Sequence, residues 1–212
     1  MASVGSLKVF AIAGRTDSAG SAQTDVDQEE LRMGMFCGGA GPGMMPNYVD
    51  GTPNPNGWQV RQNTGSDQNV KIGSTVTKAD VYVLRGTVAG QGQYAVRLDT
   101  AGLVVPFSAA PDAALPTRYG VYLFINDAAY SGDASRAYAG VSCLRGTPNA
   151  SPTTPAALAT WSAYALLWEF QMTAGAANPI TNTILDQASS IDQRTTASNP
   201  MVQNWLETQV FS

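Results

Sequence analysis

Histidine is absent from this 212-residue chain, and the absence excludes every Ser-His-Asp or Cys-His arrangement and every histidine-containing zinc site. Cysteine is scarce: Cys37 and Cys143 are the only two, too few for a four-thiolate metal site, and they are expected to be buried thiols rather than a disulfide in a reducing compartment. Charge is also scarce, at 13% of residues, about half the usual share of ~25%. The twelve basic residues form no run and the net charge is −4. A nucleic-acid partner, which needs a basic face to release counterions, is therefore not expected. Long apolar runs are missing too. The longest, Ala163 to Trp168, is far short of the ~20 residues of a membrane-spanning helix. Met1 to Gly14 lacks the layout of an export signal, because Lys8 sits inside the short apolar stretch and not ahead of it. The expectation is a chain made in the cytoplasm and kept there until assembly, with no membrane insertion.

No complete catalytic motif takes the place of the missing residues. Gly38-Gly39-Ala40-Gly41-Pro42-Gly43 is followed by no lysine–serine pair, so it does not make a phosphate-binding loop. A glycosidase needs only two carboxylates in a cleft, and Asp112, Asp127, Asp133 and Glu169 are the candidates. Asp127 and Asp133 bracket a turn-forming loop, and Glu169 alternates with apolar neighbours on a strand, so structural roles are expected for them. Asp25, Asp27, Glu29 and Glu30 lack the glycine and spacing of a calcium loop and read as a solvated acidic stretch. No catalytic residue, metal site or cofactor is expected, and the chain does not read as an enzyme. Most aromatic residues fall at core-like strand positions. Tyr130, in a loop between two strands, is singled out as a candidate exposed contact for a glycan ring.

What the chain does have is a proline-stiffened connector, Arg145-Gly146-Thr147-Pro148-Asn149-Ala150-Ser151-Pro152-Thr153-Thr154-Pro155, between two apolar runs, Arg136 to Leu144 and Trp161 to Met172. Its prolines fix φ and remove backbone donors, so neither a helix nor a central strand can cross it. The two runs are expected in different sheets, or on opposite sides of one, rather than in a tight hairpin. From Gly57 onward, short β-type runs recur roughly every ten residues: Trp58–Gln62, Asn69–Gly73, Val81–Val88, Gly92–Leu98, Leu103–Phe107 and Tyr119–Asn126. That spacing predicts an all-β sandwich or barrel over residues 57–190, and with the connector pointing to a sandwich the fold class is read as an antiparallel, jelly-roll-like β-sandwich. Val81–Val88 is apolar on both faces and reads as a central strand.

Residues 1–56 form no core of their own and read as an extended N-terminal assembly arm, rich in glycine, proline and methionine from Gly34 to Pro46. Residues 191–212 read as a C-terminal tail with a short helix: Asn199 caps it, Pro200 takes the first turn, and Met201, Val202, Trp205, Leu206 and Val210 approximate one stripe. Such a helix is marginal alone and must dock.

Taken in order, the elements from Trp58 to about residue 190 resemble the minor tail or baseplate proteins at the tail tip of long-tailed phages infecting actinobacteria. The resemblance is carried by Val83–Tyr94 with its glycine turn, Leu103–Phe107, Ala109–Arg118, the strand from Tyr119, Gly132-Asp133-Ala134-Ser135, Gly146–Pro152 and Ile180–Asp186. None of these is catalytic, and Tyr119-Gly120 stands where that family often has an acidic residue. The resemblance implies a structural virion protein that assembles as a homotrimer with itself and other virion proteins, sits on the phage tail and supports host attachment. A capsid decoration or head-fibre protein and a carbohydrate-binding module recognising a host cell-surface glycan through Tyr130 are the alternatives.

Overall fold

The computed structural model of the chain describes residues 7–11, 42–44, 48–49, 52–53, 58–63, 68–73, 81–87, 93–98, 102–127, 130, 138–175 and 191–192. Its elements are strands: β1 Leu7–Ala11, β2 Gly43–Met44, β3 Tyr48–Val49, β4 Thr52–Pro53, β5 Val60–Gln62, β6 Asn69–Ile72, β7 Val81–Arg85, β8 Gln93–Leu98, β9 Leu103–Pro106, β10 Thr117–Asn126, β11 Tyr138–Arg145, β12 Ala163–Met172 and β13 Ile191–Asp192. The described fold is all-β, and every pairing between these strands is antiparallel. Cys37, Asp133, the acidic stretch Asp25–Glu30, Ile180–Asp186 and the helix expected after Asn199 lie outside the described residues.

The strands make sheets with the orders β1-β8-β7-β2, β11-β10-β12-β13 and β5-β6-β9, plus the pair β3-β4. β7 lies between β8 and β2, with Tyr82, Val83 and Leu84 all buried, as expected of a strand apolar on both faces. Four strands come from the segment read as an arm: β1 pairs with β8 from Leu7↔Leu98 to Ala11↔Tyr94, β2 pairs with β7, and β3 and β4 pair with each other. Bridges tie the sheets to one another, Gly86↔Ala163 joining the end of β7 to β12 and Phe107↔Cys143 joining the end of β9 to β11.

Side chains from all three larger sheets meet in one apolar cluster. Val70, Ile72 and Val105 come from β6 and β9, Tyr82, Leu84 and Val96 from β7 and β8, and Tyr119, Val121, Leu123 and Ile125 from β10. Tyr119 stacks on Phe170, with centroids 5.3 Å apart and planes 6° apart, and Phe107 packs 4.6 Å from Tyr119. Cys143 is a free thiol buried in the same cluster, and that burial pushes its pKa well up.

The strand limits differ from the sequence expectation in informative places. A strand was expected from Trp58, but Trp58 has a left-handed φ of 56° and pairing begins at Val60. Its ring is fully buried edge-on to Tyr82, so burial of a large aromatic outweighs the cost of the left-handed backbone. β12 carries a register shift opposite Val121/Tyr122, where Val121 faces Trp168 and Tyr122 faces Leu166. That extra residue, Leu167, lets Leu167 and Trp168 both reach the inner cluster and sends Leu166 and Glu169 to the other face.

Candidate functional site

β11 and β12 flank β10, and both run antiparallel to it. They are therefore parallel to each other, and the proline connector between them must pass over the sheet. Of the two placements open in the sequence, this is the one with the strands on opposite sides of a single sheet. Residues 146–162 cross the face of β10 turned away from the main core and form a strap. They bury a second aromatic cluster of Tyr122, Phe124 and Trp161, with Tyr138, Leu144, Ala157 and Leu166 packed around it. Trp161 lies flat on Phe124 with centroids 4.4 Å apart and planes 5° apart.

Polar anchors hold the strap where a sheet ladder would hold a strand. The Gly146 N–H donates to Arg118 O at 2.7 Å and the Asn149 N–H to Pro116 O at 3.1 Å. The Ser151 N–H donates to Asn149 Oδ1 at 3.1 Å, closing a side-chain turn between two prolines. The Tyr122 hydroxyl donates to Pro155 O, and the Thr154 hydroxyl donates to Glu169 Oε2. Glycine is required at two of the closest approaches. A Cβ on Gly120 would meet Tyr122 Cε2 at 2.7 Å and Thr154 Cγ2 at 3.4 Å, and one on Gly146 would meet Thr153 O at 2.6 Å. Burial, with Tyr164 and Glu169 nearby, raises the Tyr122 hydroxyl above its ordinary pKa, so it stays a neutral donor.

The candidate carboxylates fall into separate structural roles. Glu169 is buried beneath the strap, paired at 3.9 Å with Arg118 Nη1. Asp112 accepts the Ala114 and Leu115 N–H groups at 2.9 and 3.0 Å and pairs with Arg145 Nη2 at 3.2 Å. The Ala114 bond first, then that from Leu115, holds its pKa below the usual aspartate value. Asp127, expected in an exposed loop, instead accepts the Tyr94 hydroxyl at 2.8 Å. Its backbone joins Ser162, the Asp127 N–H donating to Ser162 Oγ at 2.9 Å, and the Thr87 N–H and hydroxyl both donate to Ser162 O at 2.9 Å. This network fastens β7 and β8 to the ends of β10 and β12. Asp112 pairs with Arg145, which lies opposite Tyr119, whereas Asp127 follows the end of β10, so about eight residues at ~3.3 Å each separate them by roughly 26 Å, far more than a glycosidase pair spans. Among the described residues no group of three or more acidic or cysteine side chains is placed to hold a metal ion.

Tyr130 is 43% exposed, and its N–H donates to Asp127 O at 2.9 Å. Tyr164, read from sequence as a packing residue, is exposed to 45%, beside Trp161 with centroids 6.4 Å apart. The signal for it is parity. Tyr164 pairs with Phe124 on the strap side, but the strap covers Phe124 and stops short of Tyr164. No protein family, no curated protein and no solved structure matches the chain.

Proposed function

We propose that this chain is a structural virion protein of the tail tip or baseplate of a long-tailed phage infecting actinobacteria, assembling as a homotrimer and supporting host attachment. The architecture that goes with this reading is a jelly-roll-like β-sandwich over residues 57–190, an assembly arm over 1–56, and a tail over 191–212 with a short helix. The observation that carries it is the strap. The strap opens with the Gly146–Pro152 segment, the strongest part of the resemblance to that family, and is anchored at Gly146, Asn149, Thr154 and Pro155 over a buried aromatic face. A long irregular segment held this firmly suits a rigid building block better than a mobile loop. The single apolar cluster shared by three sheets supports the sandwich. Asp112, Asp127 and Glu169 are engaged by neighbouring groups, which favours a structural role over hydrolysis. Tyr130, exposed in its turn, is the side chain assigned to glycan contact during attachment.

The reading is tested by antibody or gold labelling of the chain on purified phage particles, viewed by electron microscopy. Label at the tail tip is expected. Label on the head would replace this reading with that of a capsid decoration or head-fibre protein, and particles without label would overturn both.

A further inference from the structure

The longest stretch of the chain without Asp, Glu, Lys or Arg runs from Gly146 to Trp168. It coincides with the strap and the first part of β12. Thr147, Ala150, Thr153, Ala156, Leu158 and Tyr164 are all exposed along it, Leu158 and Tyr164 each to 45%. Among the described residues, Glu169 and Arg118 lie beneath the strap, Glu169 accepting from its Thr154 and the two pairing with each other. A free protein surface ordinarily carries about 25–35% charged residues. An exposed, ordered, wholly uncharged strip is therefore out of place against solvent.

We infer that the outward side of this strap, residues 147–160 with Tyr164, is the contact surface for a second copy of this chain. Charge identifies the occupant. Each copy carries a net charge of −4, so copies approach with least repulsion through a face that bears none. Rotational symmetry brings the same residue of every copy close to the axis, where any charge would face its own image; a strap free of charge avoids that. Its alanines, serines and threonines permit close approach, and Leu158 and Tyr164 provide apolar anchors. The prolines and the anchors at Gly146, Asn149, Thr154 and Pro155 leave little backbone freedom to lose on association, so the ordering cost is low. A nucleic acid or an acidic protein would find no cation here, and a basic one no carboxylate. The surface supplies the contact for the homotrimer proposed above, and in that respect rests on that reading.

The test is sedimentation velocity of the full chain over a range of concentrations, alongside Ala156→Glu, Leu158→Glu and a control, Val104→Glu, at a 42% exposed position on β9. The wild type is expected to self-associate. Each strap variant places unpaired carboxylates in the contact and should weaken association on the order of 100-fold, with circular dichroism unchanged, and Tm unchanged at concentrations where wild type and variant are both monomeric, because both sites are exposed in the single chain. Val104→Glu should leave it within about threefold. A wild-type chain that stays monomeric throughout, or an oligomer that neither strap variant weakens, overturns the inference. An oligomer insensitive to the strap variants but labelled at the tail tip sinks the surface and leaves the virion reading standing. A strap-dependent oligomer absent from particles does the reverse.

Discussion

The two faces of the β10 sheet are both aromatic and both buried, yet they are covered by different means. On the inner face Tyr119, Val121, Leu123 and Ile125 meet side chains from other strands, whose backbones are already satisfied by ladders. On the outer face Tyr122 and Phe124 meet the strap, whose backbone has no ladder and is satisfied at separate points by Arg118 O, Pro116 O, the Tyr122 hydroxyl and Asn149 Oδ1. Irregular chain can seal an apolar face when its polar groups are met individually. The consequence is a division of labour, with the inner face carrying stability and the outer face presenting a shaped surface.

The strongest way to break this comparison is to delete one large ring on each side. Phe170→Ala opens a cavity among residues held by three sheets and should cost about 3–5 kcal/mol of unfolding free energy in urea titration. Trp161→Ala should cost less, about 2–3 kcal/mol, because the strap can settle onto Phe124. Hydrogen exchange should then speed up at the Gly146 and Asn149 amides while those of β7 and β8 stay protected. Equal costs with uniform exchange would mean that the strap is part of one cooperative core.

A smaller effect isolates a single anchor. Tyr122→Phe removes the bond to Pro155 O and keeps the ring, so about 1 kcal/mol should be lost, with faster exchange confined to the strap. No change in either measurement would show that Trp161 stacking alone holds the segment down.

The smallest effect concerns the loop before β10. The Asp112 carboxyl is held below the usual aspartate pKa by the Ala114 and then the Leu115 N–H groups, so the unfolded chain binds its proton more readily than the folded one. Its stabilising contribution is present above the unfolded value, about 3.9, and disappears as pH falls through the lower folded value. Asp112→Asn should therefore be less urea-resistant than wild type at neutral pH, and the gap should close in acid. A gap that persists there would place the effect in the geometry of the turn and not in its charge.

Much of the strand content was legible from residues alone because alternation and turn chemistry are local. Val81–Arg85 could be read as central from apolar residues on both faces, and the connector as a surface crossing from Pro148, Pro152 and Pro155. Tyr130 could be read as exposed from its place between Asp127 and the next strand. Glu169 beneath the strap was not legible, since the register shift opposite Val121/Tyr122 changes which face each later residue of β12 takes; parity placed Tyr164 on the strap side, but only the path of the strap left it uncovered. Nor could the bonds from Asp127 to Tyr94 and Ser162 be read, because they join segments distant in the chain.

By itself the sequence determined the class of the fold, the scarcity of reactive side chains, and the one segment that can be neither helix nor central strand, because these follow from residue types and short-range periodicity. Only the tertiary structure decided that the connector lies across its own sheet, that it hides a second aromatic cluster, and which residues of the uncharged stretch face outward. Those properties depend on which distant residues meet, and a bulge of a single residue is enough to change them.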